Sequence, residues 1–187
     1  MNFLPCSNKN KLIAAVFFST VFLACNNSKT QETTNSASKD KQQELIQGLE
    51  AKMHASLTLD NALGQLAAQE YFKYAASFPG DSLSPGYLFK GAEVATALQD
   101  YTSALHAYEK ITADYPAFLY SRESLYLQGF LLDNYLNDDA KAKVIYEKFL
   151  SKYTSGPYVE DAKAAIANLG KSDEELIKQF KKMNGEK

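Results

Sequence analysis

Three stretches of the chain carry one pattern. In "AAQEYFKYAASFP", Ala67, Tyr71, Tyr74, Phe78 and Pro79 stand at offsets 0, 4, 7, 11 and 12. Ala104, Tyr108, Ile111, Tyr115 and Pro116 repeat that pattern 37 residues on. Ala142, Tyr146, Phe149 and Tyr153 repeat it after a further 38, with Thr154 in place of the proline. Offsets 0, 4, 7 and 11 form one stripe of a helix with 3.6 residues per turn. Each stretch therefore predicts an amphipathic helix, small near its start and aromatic or Ile further along. Proline cannot continue a helical hydrogen-bond ladder, so Pro79 and Pro116 end two of these helices.

Second helices lie between the stripes. "SPGYLFKGAEVATALQD" (84–100) opens with Pro85 in a first-turn position and places Gly91, Ala92 and Ala95 along one face. "YSRESLYLQGFLLDN" (120–134) is apolar through Leu125, Gly129 and Leu132. "GPYVEDAKAAIANLG" (156–170) opens on proline and closes on Gly170, a usual helix stop. No stretch alternates with period two for long enough to make a strand. Helix pairs recurring at this period predict an all-α, helical-hairpin solenoid, in which each hairpin buries its stripe against the next. Small residues at Ala92, Ala95, Ala104, Gly129, Ala142, Ala164 and Ala167 mark expected close approaches of helix backbones.

Two flanking helices complete the expected body. "KQQELIQGLEAKMHA" places Leu45, Ile46, Leu49 and Met53 on one face, as a cover for the N-terminal end. Ser172 and Glu175 form a capping-box pattern ahead of "SDEELIKQFKKM". Leu176, Ile177, Phe180 and Met183 are expected against the last repeat, with Lys178, Lys181 and Lys182 in water.

The pattern resembles the tetratricopeptide repeat (TPR). In "LFKGAEVATALQDYTSALHAYEKITADYP", Leu88, Gly91, Ala92, Ala95, Tyr101, Ala104, Tyr108, Ile111 and Pro116 fall on that family's signature positions. The resemblance covers about 60–170. Spacing is longer than the usual repeat, and Tyr126 is large where Gly or Ala is the rule. "YEKFLSKYTSGPYVEDAKAAIANLG" is also similar to the last repeat of small bacterial outer-membrane TPR lipoproteins. These include the β-barrel assembly lipoprotein BamD (YfiO) and the Tol-Pal-associated YbgF-like family. Binding in TPR proteins runs along the concave face, lined by the first helix of each hairpin. The resemblance therefore implies partner contacts at Phe89, Glu93, Thr96, Tyr120, Glu123, Leu127 and Phe130.

The N-terminus is read separately. "MNFLPCSNKNK" carries Lys9 and Lys11 and no acid, and the 13 residues "LIAAVFFSTVFLA" follow. That run is short for a membrane span, which needs about 20 apolar residues, and has the proportions of a secretory signal. "FLAC" resembles the lipobox of bacterial lipoproteins, implying lipidation of Cys25 after removal of residues 1–24 as a signal peptide. The mature chain then keeps one thiol and forms no internal disulfide. Residues 25–40, "CNNSKTQETTNSASKD", lack large apolar side chains and are expected to be the lipidated cysteine and a flexible tether, with 41–187 as the solenoid domain. By resemblance to enteric lipoproteins, Asn26 after the cysteine, with no acidic cluster behind it, implies the periplasmic face of the outer membrane.

The full chain has net charge −2 and a pI near 5.7, with no run of Lys or Arg, which argues against nucleic acid as a partner. His54 and His106 are its only imidazoles and lie far apart, and no nucleophile, zinc or phosphate-loop motif occurs. Asp133, Asp138 and Asp139 cluster, but lack the alternate acids and central glycine of a calcium loop; Asp138 or Asp139 reads as a helix N-cap. Tyr71, Tyr108 and Tyr146 read as core. No cofactor, metal or enzymatic activity is expected. The expected function is a lipid-anchored periplasmic TPR scaffold that binds a protein partner in the cell envelope, in outer-membrane protein assembly. The alternatives are an envelope or cell-division coordinator of the Tol-Pal-associated type, or a small-ligand-binding protein or cell-wall enzyme.

Overall fold

The computed structural model describes residues 28–55, 58 and 60–185, with side chains from residue 36 onward apart from 173 and 183. The expected signal peptide, Cys25 and the side chain of Met183 lie outside the described residues. Eight helices occupy the described residues, and no strand. They are α1 (Ser28–His54), α2 (Asn61–Ser77), α3 (Ser84–Ala97), α4 (Tyr101–Asp114), α5 (Ser121–Asn134), α6 (Asp139–Lys152), α7 (Val159–Asn168) and α8 (Asp173–Met183). Each packs chiefly on its neighbours in sequence as far as α7, the solenoid pattern the repeat predicts. No described helix is long and apolar enough to cross a membrane.

Local chemistry sets the helix ends. Every second helix of a hairpin begins at a capping side chain. Asp60, Asp100 and Asp138 accept from the amides of Leu63, Ser103 and Lys141 at 2.8, 3.1 and 3.1 Å. Ser172 and Glu175 form the reciprocal capping box of α8. Gln99 and Asn137, just ahead of two of these caps, take φ of +62° and +52° to turn the chain back on itself. Phe78 and Tyr115 close α2 and α4 ahead of their prolines, as expected.

The echoed stripes are the core. Ala67, Tyr71, Tyr74, Ala104, Tyr108, Ile111, Ala142, Tyr146 and Phe149 are all buried. Burying such side chains is worth about 1.5–3 kcal/mol each for the larger ones. Two glycines let rings come close to a helix backbone: Phe72 at Gly91 and Tyr146 at Gly129. Buried Gln128 of α5 reaches back to α4, donating to the Tyr108 carbonyl and the Thr112 hydroxyl, both at 3.0 Å.

Four expectations are corrected. Residues 28–40, expected to be flexible, are helical, as part of α1. A helix propagates cheaply once a docked segment supplies its nucleus, here the half carrying Ile46 and Leu49. Among the described side chains of that stretch, Lys39 reaches the body and pairs with Asp81 at 2.9 Å. Leu45 is 46% exposed, on the rim of the α1 core face rather than within it. Ala164 and Ala167 are exposed, and Ala162 is the buried small residue of α7.

The fourth correction concerns α8. It makes little contact with α7, and Ile177 and Phe180 are 54% and 56% exposed. Leu176 stands four residues after its cap, where Ala104 and Ala142 stand after theirs. A branched side chain thus replaces a methyl at the site where the inner helices meet closely. Gly170, with φ +72°, turns the chain ahead of α8.

Candidate partner-binding face

The first helices of the hairpins, α1, α3, α5 and α7, are linked across one side of the solenoid. Glu50 of α1 accepts from Lys90 of α3 at 2.7 Å and from the Tyr71 hydroxyl at 2.9 Å. Phe89 of α3 stacks on Tyr120, which precedes α5, with centroids 4.9 Å apart and planes at 24°. The Tyr158 hydroxyl, ahead of α7, donates to Glu123 of α5 at 2.8 Å. Tyr158 also stacks on Tyr126 at 4.5 Å. Tyr158 holds φ +65°, a conformation that costs a non-glycine residue roughly 1–3 kcal/mol. Its ring contacts hold it there.

The seven residues implied by the resemblance divide into two groups. Phe89 is buried between Tyr120 and Tyr108, and Leu127 packs half-buried on the core around Leu131. Thr96 spends its hydroxyl on the Ala92 carbonyl at 2.8 Å. Phe130 is half-buried, edge-on to Tyr135 at 5.8 Å. Tyr120, Glu93 and Glu123 remain open to a partner in whole or part: Tyr120 is 43% exposed, Glu93 is exposed, and Glu123 is half-buried.

Glu93 forms no ion pair among the described residues. Loss of hydration on one side raises its carboxyl above the ordinary value; the Glu123 charge adds to this, and Lys90 opposes it. The Tyr158 phenol is pushed up to about 12, first by its bond to Glu123 and then by burial. Asp161 lies close enough to raise Tyr126 and Tyr158 through its charge. The open part of this face is therefore an acidic strip beside phenol and phenyl rings.

Sequence reasoning missed Tyr158 and read Tyr126 only as outsized. His106 is exposed, and Asp138 is the N-cap of α6, one of the two residues read for that role. Among the described residues no group of three or more His, Cys, Asp or Glu is arranged to hold a metal ion.

Residues 123–155 match the tetratricopeptide repeat family. The matched segment is the α5–α6 hairpin with the turn after it. No curated protein and no solved structure matches the chain. The finer likeness to BamD or YbgF has no match behind it. TPR repeats generally mediate protein–protein interaction, and their helical-repeat fold is typically a non-enzymatic scaffold. The TPR match falls on the part of the chain that supplies Glu123 and Tyr126.

Proposed function

We propose that the protein is a lipid-anchored scaffold of the bacterial cell envelope, which holds a segment of a partner protein along the face of α3, α5 and α7 and serves outer-membrane protein assembly. The observation that carries the reading is the continuity of that face. Ring stacks and a phenol–carboxylate bond join three consecutive hairpins, leaving Tyr120, Glu93 and Glu123 presented together. Extended or helical segments bind such grooves through side-chain anchors spaced along them. The lipobox-like "FLAC" supports the envelope setting and the anchor at Cys25 on the periplasmic face of the outer membrane.

Crosslinking in membranes, followed by affinity recovery, tests the reading. A protein partner is expected to be recovered, and Glu93→Lys, at an exposed side chain with no ion pair among the described residues, is expected to lose it while the melting temperature holds. Recovery of no protein, under conditions that capture other lipoproteins, overturns the scaffold. Mass spectrometry of the membrane fraction tests the anchor: an acylated Cys25 peptide is expected.

A further inference from the structure

Each internal junction of the solenoid pairs the second helix of one hairpin with the first helix of the next: α2 with α3, α4 with α5, α6 with α7. The two ends break this rule. Among the described residues no hairpin precedes α1 and no helix follows α8, which barely touches its own α7. The described helices therefore present half a junction at α1 and another at α8.

Both halves keep apolar surface in water. On the outer side of the first hairpin, α1 and α2 enclose a groove of about 580 Å³, lined by Leu45, which is 46% exposed, and by the buried Leu49. Its rim carries both signs, Lys41, Lys52 and Lys73 with Glu44 and Glu70, and Lys73 already pairs with Glu70 at 3.1 Å. No ion pair engages Lys41, Lys52 or Glu44 among the described residues. At the other end, Leu176, Ile177 and Phe180 share one face of α8, and Ile177 and Phe180 are more than half exposed. This helix also carries both signs, Glu174 and Glu175 in its first turn and Lys178, Lys181 and Lys182 beyond.

We infer that α8 of one copy docks in the α1–α2 groove of a second copy, so that the chains join head to tail. Three features select this occupant. The groove lies where a preceding hairpin's second helix would pack, and α8 is such a helix, with its cap and stripe in the repeat's register. Its apolar face matches the groove lining in kind. Its mixed charges suit a rim of mixed charges, whereas an anionic lipid surface would attract the lysines and repel Glu174 and Glu175. A junction between two different surfaces is heterologous, and it builds rings or open chains rather than a closed two-fold dimer. This does not depend on the partner face of α3, α5 and α7.

The test uses the full chain in its own membranes, as two copies with different tags. One copy carries a photoreactive phenylalanine analogue at position 180; the other is unmodified. Illumination is expected to give an adduct of two chains, joined through a peptide from 41–52 of the receiving copy. Leu45→Glu in the receiving copy is expected to abolish the adduct, and the same change in the donating copy to leave it intact. That asymmetry is the signature of a head-to-tail contact. Leu45 is already half in water, so the substitution does not threaten folding. An adduct only with lipid or another protein, only within one chain, or absent altogether overturns the inference, as does an effect of Leu45→Glu in the donating copy alone.

Discussion

The guanidinium carbon of Arg122 lies 4.7 Å from the centroid of the Tyr153 ring. The same group donates to the carbonyls of Ser155 and Pro157, both at 2.7 Å. One side chain from α5 thereby clamps the turn between α6 and α7. Gly156 in that turn has φ +93°, and a β-carbon there would come within 2.9 Å of the guanidinium.

Arg122→Lys is expected to destabilise the protein by about 2 kcal/mol, because an ammonium cannot serve two carbonyls and stack on a ring at once. Urea unfolding reads the loss as a lower midpoint with unchanged slope. A midpoint equal to that of the parent would show that the clamp is redundant.

Gly129→Ala concerns the α5–α6 crossing. A β-carbon at Gly129 would stand 2.6 Å from Tyr146, whose ring is fully buried. The ring must shift against a packed core, at a cost of about 1–3 kcal/mol. Thermal melting checks it, with Gly48→Ala as the control, since nothing stands within 4 Å of a β-carbon there.

Gln99→Gly is expected to stabilise. Gln99 holds φ +62° in the α3–α4 turn, a conformation open to glycine without steric penalty. The relief exceeds the entropy that glycine adds to the unfolded chain, for a gain of about 0.5–1 kcal/mol. Gln99→Ala should show no such gain. Calorimetry on the two variants separates backbone strain from loss of the amide side chain.

Glu93 and Glu50 are expected to respond oppositely to pH. The Glu93 carboxyl is raised in the folded state, so its ionisation opposes folding, and the cost appears as pH rises past the ordinary glutamate range. Glu93→Gln is therefore slightly more stable than the parent at neutral pH, by less than about 1 kcal/mol at so exposed a site, and equal to it in acid. For Glu50, burial raises the carboxyl, but the bonds from Lys90 and Tyr71 outweigh it and the net shift is downward. Its stabilisation is present above the ordinary glutamate value and is lost as pH falls through the lowered one. Glu50→Gln is less stable at neutral pH, with the gap closing in acid. Melting temperatures between pH 3 and pH 8 read both slopes (a span bracketing the ordinary carboxylate range of about 4).

The helical order was legible because the offsets that predict a helix also predict its buried face. Ala104, Tyr108 and Ile111 obey both, as do the caps at Asp138 and Ser172. Where the two parted, sequence misled. The polar residues 28–40 have no face to bury, yet they continue a helix nucleated further on. Leu176, Ile177 and Phe180 have a face, but no surface among the described residues fully receives it. Of the candidate site, the helices were readable, but division of labour was not. Phe89 and Tyr120 are both aromatic in sequence, and only packing shows that the first is enclosed and the second presented. Tyr158 depended on a backbone angle that no residue type announces.

Gln128 welds the middle of the molecule with a buried bond to the Tyr108 carbonyl and a partly buried one to Thr112, whereas α1 and α8 are held on one side or hardly at all. Heat or denaturant should thus unzip the rod from its tips inward, and the amides around Tyr108 should be the last to exchange their hydrogens for deuterium.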